Sequence, residues 1–272
     1  TFCGVLRVLM LFVAGVVVVA ILLGKSPMTL FAGLGATSAV LMLVFKDTIL
    51  GLAAGVRLTS NDMLHKGDWI TVKSVDANGI VEDMSLTTVK VRNFDNTIVT
   101  ISPATLVNGS FQNWIGMQKS GGRRVKRIVY FDFRSIRLVD ETLKQTLLAK
   151  HFATEDSFKL KESLQKAIEK DREEGKDIED LKNPAALAPT NLQLYRRFME
   201  KYLRQRPEVN TELTLMVRHM EATQCGLPIE FYFFIKDKVW VNYEHILADI
   251  MEHAYALANE FGLKIYEQYP EQ

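Results

Sequence analysis

Two long apolar stretches open the chain, and alternating and helical patterns fill the remainder. Residues 8–24, VLMLFVAGVVVVAILLG, carry no charge, and residues 28–45, MTLFAGLGATSAVLMLVF, stay apolar until Lys46 and Asp47. At about 1.5 Å per helical residue the second stretch covers about 27 Å, close to a hydrocarbon thickness of about 30 Å. Each stretch therefore predicts one membrane crossing. Only Gly24, Lys25, Ser26 and Pro27 connect them, which predicts an antiparallel helical hairpin with Pro27 in the first turn of the second helix. The first half of the second stretch is crowded with small residues: Ala32, Gly33, Gly35, Ala36, Ser38 and Ala39. Four-residue spacing sets Ala32 with Ala36 and Gly35 with Ala39, a smooth face that lets helix backbones approach, before Val40, Leu43 and Val44 restore bulk. This helix is expected to pack against other helices.

Lys46 and Asp47 end the apolar run as an interfacial terminator or as part of an ion path. Residues 48–58, TILGLAAGVRL, resume an apolar pattern too short to cross. Gly51 and Gly55 weaken its helical propensity. The expectation is a second helix that kinks away at the charged pair and Gly51 and lies along the membrane surface or against neighbours. Arg57 and Lys66 follow the span whereas Lys25 alone precedes it, so the later domains are expected on the cytoplasmic side.

From Gly67 the pattern turns to period two. Short β-branched runs at 69–72, 79–81, 88–92 and 97–101 are separated by turn signals at 76–79 and 93–96, predicting a small β-barrel or curled sheet of about fifty residues. Farther on, 126–133 predicts a strand and 136–151 a helix. A charged stretch over 154–179 offers too little apolar surface for a core. Thr190 is a good N-cap for a helix carrying Leu194, Phe198, Tyr202 and Leu203. Strands at 212–219 and 227–235, a helix at 243–261 and a last strand at 263–266 complete an α+β domain.

Composition narrows the function classes. The formal net charge is +1 over 272 residues, so no global attraction to nucleic acid is expected, and the β-rich segment lacks an aromatic stripe with interleaved basic residues. Cys3 and Cys225 have no paired spacing, which disfavours a disulfide framework or zinc site. His65, His151, His219, His245 and His253 show no metal-binding spacing. Gly33-Leu34-Gly35 lies inside an apolar span with no preceding strand, so it is no dinucleotide fingerprint. No nucleophile motif or phosphate loop is present, and neither catalysis, a metal nor a cofactor is expected. Neither the basic n-region nor the small-residue cleavage site of a secretory signal peptide is present, and with Thr1 as the first residue further spans upstream are expected.

The residues then reach a recognisable pattern. Gly67-Asp68-Trp69-Ile70, Gly79-Ile80-Val81-Glu82, Thr87-Thr88-Val89, Asp95-Asn96-Thr97-Ile98-Val99, Ile101-Ser102-Pro103 and Asn108-Gly109-Ser110 resemble the β-domain of the MscS family of small mechanosensitive channels. The small-residue helix leading to Ala53-Ala54-Gly55-Val56 resembles that family's pore helix. Ser102 and Ala104 flank Pro103 where the family commonly has Ile-Pro-Asn. The stretch from Thr190 to Val209, with Gly226-Leu227-Pro228-Ile229-Glu230 and Trp240-Val241-Asn242-Tyr243-Glu244, is similar to the YbdG-like, miniconductance branch.

The resemblance implies a homoheptameric, multi-pass channel of the bacterial inner membrane, opened by tension and releasing ions and small solutes in hypo-osmotic stress, with membrane lipids as ligands. It implies a membrane helical part at 1–26 and 27–66, a small Sm-like β-barrel at 67–118, and a ferredoxin-like α+β domain at 119–272 interrupted by the charged insertion at about 154–189. It also implies a pore constriction at Leu43 and Ala39, pore-lining and packing positions at Ala32, Gly35, Ala36 and Val40, and a pore exit and kink at Lys46, Asp47 and Gly51. Ala39 stands where the family usually has Leu, which shifts the seal towards Leu43. The alternative is a membrane-anchored osmotic sensor or scaffold of little conductance, with the charged insertion binding partners. A secondary transporter is disfavoured, since no second broken-helix repeat is present.

Overall fold

The computed structural model describes residues 2–158 and 188–268, and its chain divides into two compact units, Thr1–Ile115 and Gly116–Gln272. The first unit begins with helix α1, Phe2–Leu22, and helix α2, Pro27–Ser60. Both are long and apolar enough to cross a membrane. α1 stops where Gly24 adopts φ 56°. There the Gly24 amide donates to the Ile21 carbonyl at 3.1 Å and the Lys25 amide to the Ala20 carbonyl at 3.0 Å, a Schellman closure that requires a left-handed residue. Ser26 then caps α2, its Oγ accepting from the Thr29 amide at 3.3 Å, and Pro27 occupies the first helical turn. The hairpin is thus written into four connecting residues.

The expected division of α2 does not occur. The helix passes through Lys46, Asp47 and Gly51 as one 34-residue element, about 51 Å long. An interior glycine costs about 1 kcal/mol against alanine, and no proline is present to break the hydrogen-bond ladder. Burial of Ala54, Gly55 and Leu58 in the last turns of the helix offsets that cost.

Next come β1 (Trp69–Val72), β2 (Ala77–Met84), β3 (Val89–Asn93), β4 (Ile98–Ile101), the short helix α3 (Pro103–Asn108) and β5 (Gln112–Asn113). They form an antiparallel sheet in the order β4-β3-β2-β1-β5. Alternation places Ile70, Val72, Val81, Val89 and Val91 on one buried face, and Leu58 of α2, Leu64 and Leu106 close the core. Asp76 and Asn96 take positive φ in the turns, conformations that Asp and Asn tolerate better than most residues. The pairing register shifts between Val81 and Asp83, a bulge that bends β2.

The second unit follows the short α4 (Ile115–Lys119) with β6 (Arg123–Phe131), α5 (Glu141–Ala149), α6 (Glu155–Phe158), α7 (Asn191–Gln205), β7 (Met216–His219), β8 (Leu227–Ile235) and α8 (Trp240–Glu260). Its sheet order is β6-β8-β7, all antiparallel. The strand expected at 263–266 is reduced to one bridge, Phe131 with Ile265, on the free side of β6. The helix expected from 136 starts at Glu141, because Asp140 accepts the Leu143 amide at 2.8 Å and caps it there. Thr190 caps α7 through the Gln193 amide at 3.1 Å.

Asn191 is fully buried and ties three segments together. Its Nδ2 donates to the Ser135 and Phe261 carbonyls at 2.9 and 3.1 Å, and its Oδ1 accepts the Arg137 amide at 3.0 Å. Most of the charged insertion expected at 154–189 lies outside the described residues.

Candidate functional site

At 100° per residue, Ala32, Ala36, Ala39 and Leu43 fall along one face of α2. Leu30 and Leu34 lie about 170° around the helix from that face. They share a shallow hollow with Leu11, Phe12, Gly15, Val16 and Val19 of α1. α1 therefore covers the side opposite the small-residue face. Ala32, Gly35, Ala36, Ala39 and Val40 are all exposed, and Leu43 is 74% exposed. Such a continuous apolar surface in one chain marks contact with lipid or with other chains.

The other end of α2 is fixed. Gly55 packs so closely on the segment between β2 and β3 that a Cβ at this position would lie 2.3 Å from the Leu86 carbonyl oxygen. Only glycine permits that approach. Leu58 is fully buried in the sheet core, and Thr59 Oγ1 donates back to the Gly55 carbonyl at 2.9 Å. The exit from the helix is clamped by Asp68, whose Oδ2 accepts the His65 amide at 3.1 Å and Asn113 Nδ2 at 2.7 Å. Asn113 Nδ2 also reaches the Met63 carbonyl at 3.3 Å. The helix is thus bonded through β5, a two-residue strand that carries no periodic signal of its own, into the five-stranded sheet and α3, which together form the β-unit.

Lys46 and Asp47 stand between these two regions, both exposed and, among the described residues, without an ion-pair partner in their own chain. Gly51 is half-buried with open space where a Cβ would project. The family resemblance drew attention to the Ala53–Val56 motif but not to its contact with Leu86. A close backbone approach between segments distant in sequence has no local signature.

An aromatic group on the β-unit was also not foreseen. Trp69 stacks on Trp114 at 4.8 Å between centroids and meets Phe94 edge-on at 5.3 Å. Trp69 Nε1 donates to Asn78 Oδ1 and Trp114 Nε1 to Thr71 Oγ1, each at 3.0 Å. These rings contact one another, which is a different arrangement from a series of separate faces open to bases. Among the described residues no group of three or more His, Cys, Asp or Glu side chains is placed to hold a metal ion.

Residues 47–116 match the family model described as the β-domain of mechanosensitive ion channels. The small-conductance mechanosensitive channel MscMJ of Methanocaldococcus jannaschii is 34% identical over 84 residues, 31% of this chain and 23% of the relative. The large-conductance channel MscMJLR of the same organism is 29% identical over 141 residues, 52% of this chain and 38% of the relative. This chain thus spans well under half the length of either curated relative.

Among solved structures, Arabidopsis thaliana MSL1 aligns with a TM-score of 0.59 at 12% identity, covering 97% of this chain and 74% of that one. Helicobacter pylori MscS in its closed state aligns with a TM-score of 0.56 at 12% identity, covering 99% and 81%. At these identities the alignments establish an MscS-like fold, with N-terminal helices followed by a β-rich domain.

Proposed function

We propose that this chain, which carries the β-domain of the MscS family of mechanosensitive channels, is a pore-forming subunit of a channel that membrane tension opens to release ions and small solutes in hypo-osmotic stress. The observation that carries the proposal is the two-ended character of α2. Its small-residue face is bare and turned away from α1, while Gly55 and Leu58 hold its last turns in the β-unit. Copies arranged around an axis would place α1 toward lipid and Ala32, Ala36, Ala39 and Leu43 toward the centre. Closed cyclic rings are a common outcome when one surface patch meets a different patch on the next copy. We adopt a homoheptamer from the family resemblance.

In that ring Leu43 forms the main constriction and Ala39 a wider one, with Gly35 and Val40 at helix contacts. A narrow apolar collar excludes water before atoms occlude the hole, so conduction stops by dewetting. Tension favours whichever state occupies more membrane area, and it can shift the equilibrium only through that difference. The smooth Gly and Ala surface gives α2 room to tilt against its neighbours, with lipids occupying the outer face of the hairpin.

The curled five-stranded sheet is read as an Sm-like barrel. The second unit is read as ferredoxin-like, since Ile265, β6, β8 and β7 lie in the order of a β-α-β-β-α-β sheet. The chain is assigned to the YbdG-like branch, with the five-stranded sheet and the second unit in the cytoplasm of a bacterial cell and α1 and α2 in its inner membrane. The test is survival of hypo-osmotic downshock in bacteria deprived of their own mechanosensitive channels. Expression of the full-length protein is expected to restore survival. Failure to do so by protein shown to be inserted as an oligomer would overturn the channel reading.

A further inference from the structure

We infer that Lys46 of each subunit pairs with Asp47 of the partner subunit, forming a closed circle of ion pairs where the pore helix leaves the membrane. This rests on the ring proposed above. Residues adjacent on a helix diverge by 100° and cannot face each other. Each is exposed and without an ion-pair partner in its own chain among the described residues. Ionisable residues along a membrane helix characteristically pair with one another or face a water-filled path, and these two carry opposite charges.

The positions of the two charges match what a ring requires. Lys46 lies about 50° to one side of the Ala32, Ala36, Ala39 and Leu43 face and Asp47 about 50° to the other. With that face toward the axis and α1 outward, the neighbouring α2 helices of a heptamer stand about 60° to either side of the inward direction. Lys46 therefore points toward one neighbour and Asp47 toward the other. Their axial offset is one residue, about 1.5 Å, so the two charges meet at one level. Between helices about 8–10 Å apart, the four-carbon stem of lysine spans the gap to a carboxylate. Each subunit supplies one donor and one acceptor, so the chain of pairs closes on itself for any ring size. The circle ties adjacent pore helices together just beyond the Leu43 constriction and must open, or slide as a unit, when they separate.

The test uses the full-length protein with every native cysteine, Cys3 and Cys225 among them, replaced by serine, and with Lys46→Cys and Asp47→Cys placed in separate, co-expressed copies. Oxidation in membranes is expected to give disulfide-linked dimers from the mixed rings and few from either variant alone. In a second arm, Lys46→Asp and Asp47→Lys should each lower the opening tension, and the exchanged pair Lys46→Asp/Asp47→Lys should restore it.

Native mass measurement of the same preparations separates the two levels of inference. A ring without preferential dimers in the mixed preparation overturns the pairing and leaves the channel reading standing. Dimers with no recovery in the exchanged variant likewise overturn the pairing. Absence of a ring overturns both.

Discussion

Two glycines four residues apart in α2 should respond to alanine with opposite signs. At Gly51 a Cβ meets nothing within 4 Å, whereas at Gly55 it would lie 2.3 Å from the Leu86 carbonyl oxygen and 3.0 Å from Leu86 Cα. Replacing an interior helical glycine by alanine gains up to about 1 kcal/mol from reduced backbone freedom in the unfolded chain. Gly51→Ala should show that gain. At Gly55 the contact is with backbone, so no side-chain rotation relieves it, and overpacking of this kind costs about 1–3 kcal/mol. The two variants should differ by about 2 kcal/mol or more in the stability of the first unit. Denaturant unfolding of the detergent-solubilised protein measures the difference, and hydrogen exchange at residues 85–88 locates it. Faster exchange there in Gly55→Ala alone is expected. Equal stabilities with unchanged exchange would refute the view that Gly55 locks α2 onto the β-unit.

Leu43→Ser should wet the constriction and leave cells leaky, read as slowed growth on induction; normal growth with normal membrane insertion would argue against Leu43 as the seal. Asn191→Ala leaves several buried backbone groups without partners and should cost about 3 kcal/mol or more, measured by denaturant unfolding of the second unit. Burial pushes the Tyr195 phenol above its ordinary range, and burial likewise raises that of Tyr243. A phenol whose folded pKa exceeds its unfolded value contributes undiminished below about pH 10 and loses its contribution as pH climbs beyond. The second unit should therefore weaken above about pH 10. Tyr195→Phe should flatten that alkaline limb in a pH-dependent unfolding series, at a cost near neutrality of about 1 kcal/mol for the lost bond to the Ala254 carbonyl.

The elements whose physics is local were legible in the chain. The Gly24-Lys25-Ser26-Pro27 connection contains the left-handed glycine, the cap and the first-turn proline of the hairpin. Alternation at 69–72 and 88–92 placed β1 and β3 to within a residue or so, and Thr190 is the cap it was expected to be. The misreadings came from contacts made at a distance. Gly51 and the charged pair predict a second helix kinking away from the first, whereas residues 27–60 form one helical element with Ala54, Gly55 and Leu58 buried in its last turns. β5 exists because Gln112 and Asn113 pair with β1, and Asn113 holds Asp68. Neither residue has a strand-like pattern. The strand expected near Ile265 shrinks to one bridge, since only Phe131 of β6 pairs with it.

The candidate site divides in the same way. Its composition, the run of small residues ending at Leu43, was visible in the sequence. Its orientation was not, because that depends on which side α1 covers, and Leu30 and Leu34 supply the answer. Trp114 was unmarked as well, since its stacking on Trp69 is made across two strands.

The most direct measurement is patch-clamp recording of the full-length protein in liposomes under graded suction, with Leu43→Ser recorded alongside. The account predicts currents that appear above a threshold tension in the parent protein and at lower suction in the variant. Electrical silence from both, in patches containing a confirmed oligomeric ring, would contradict it.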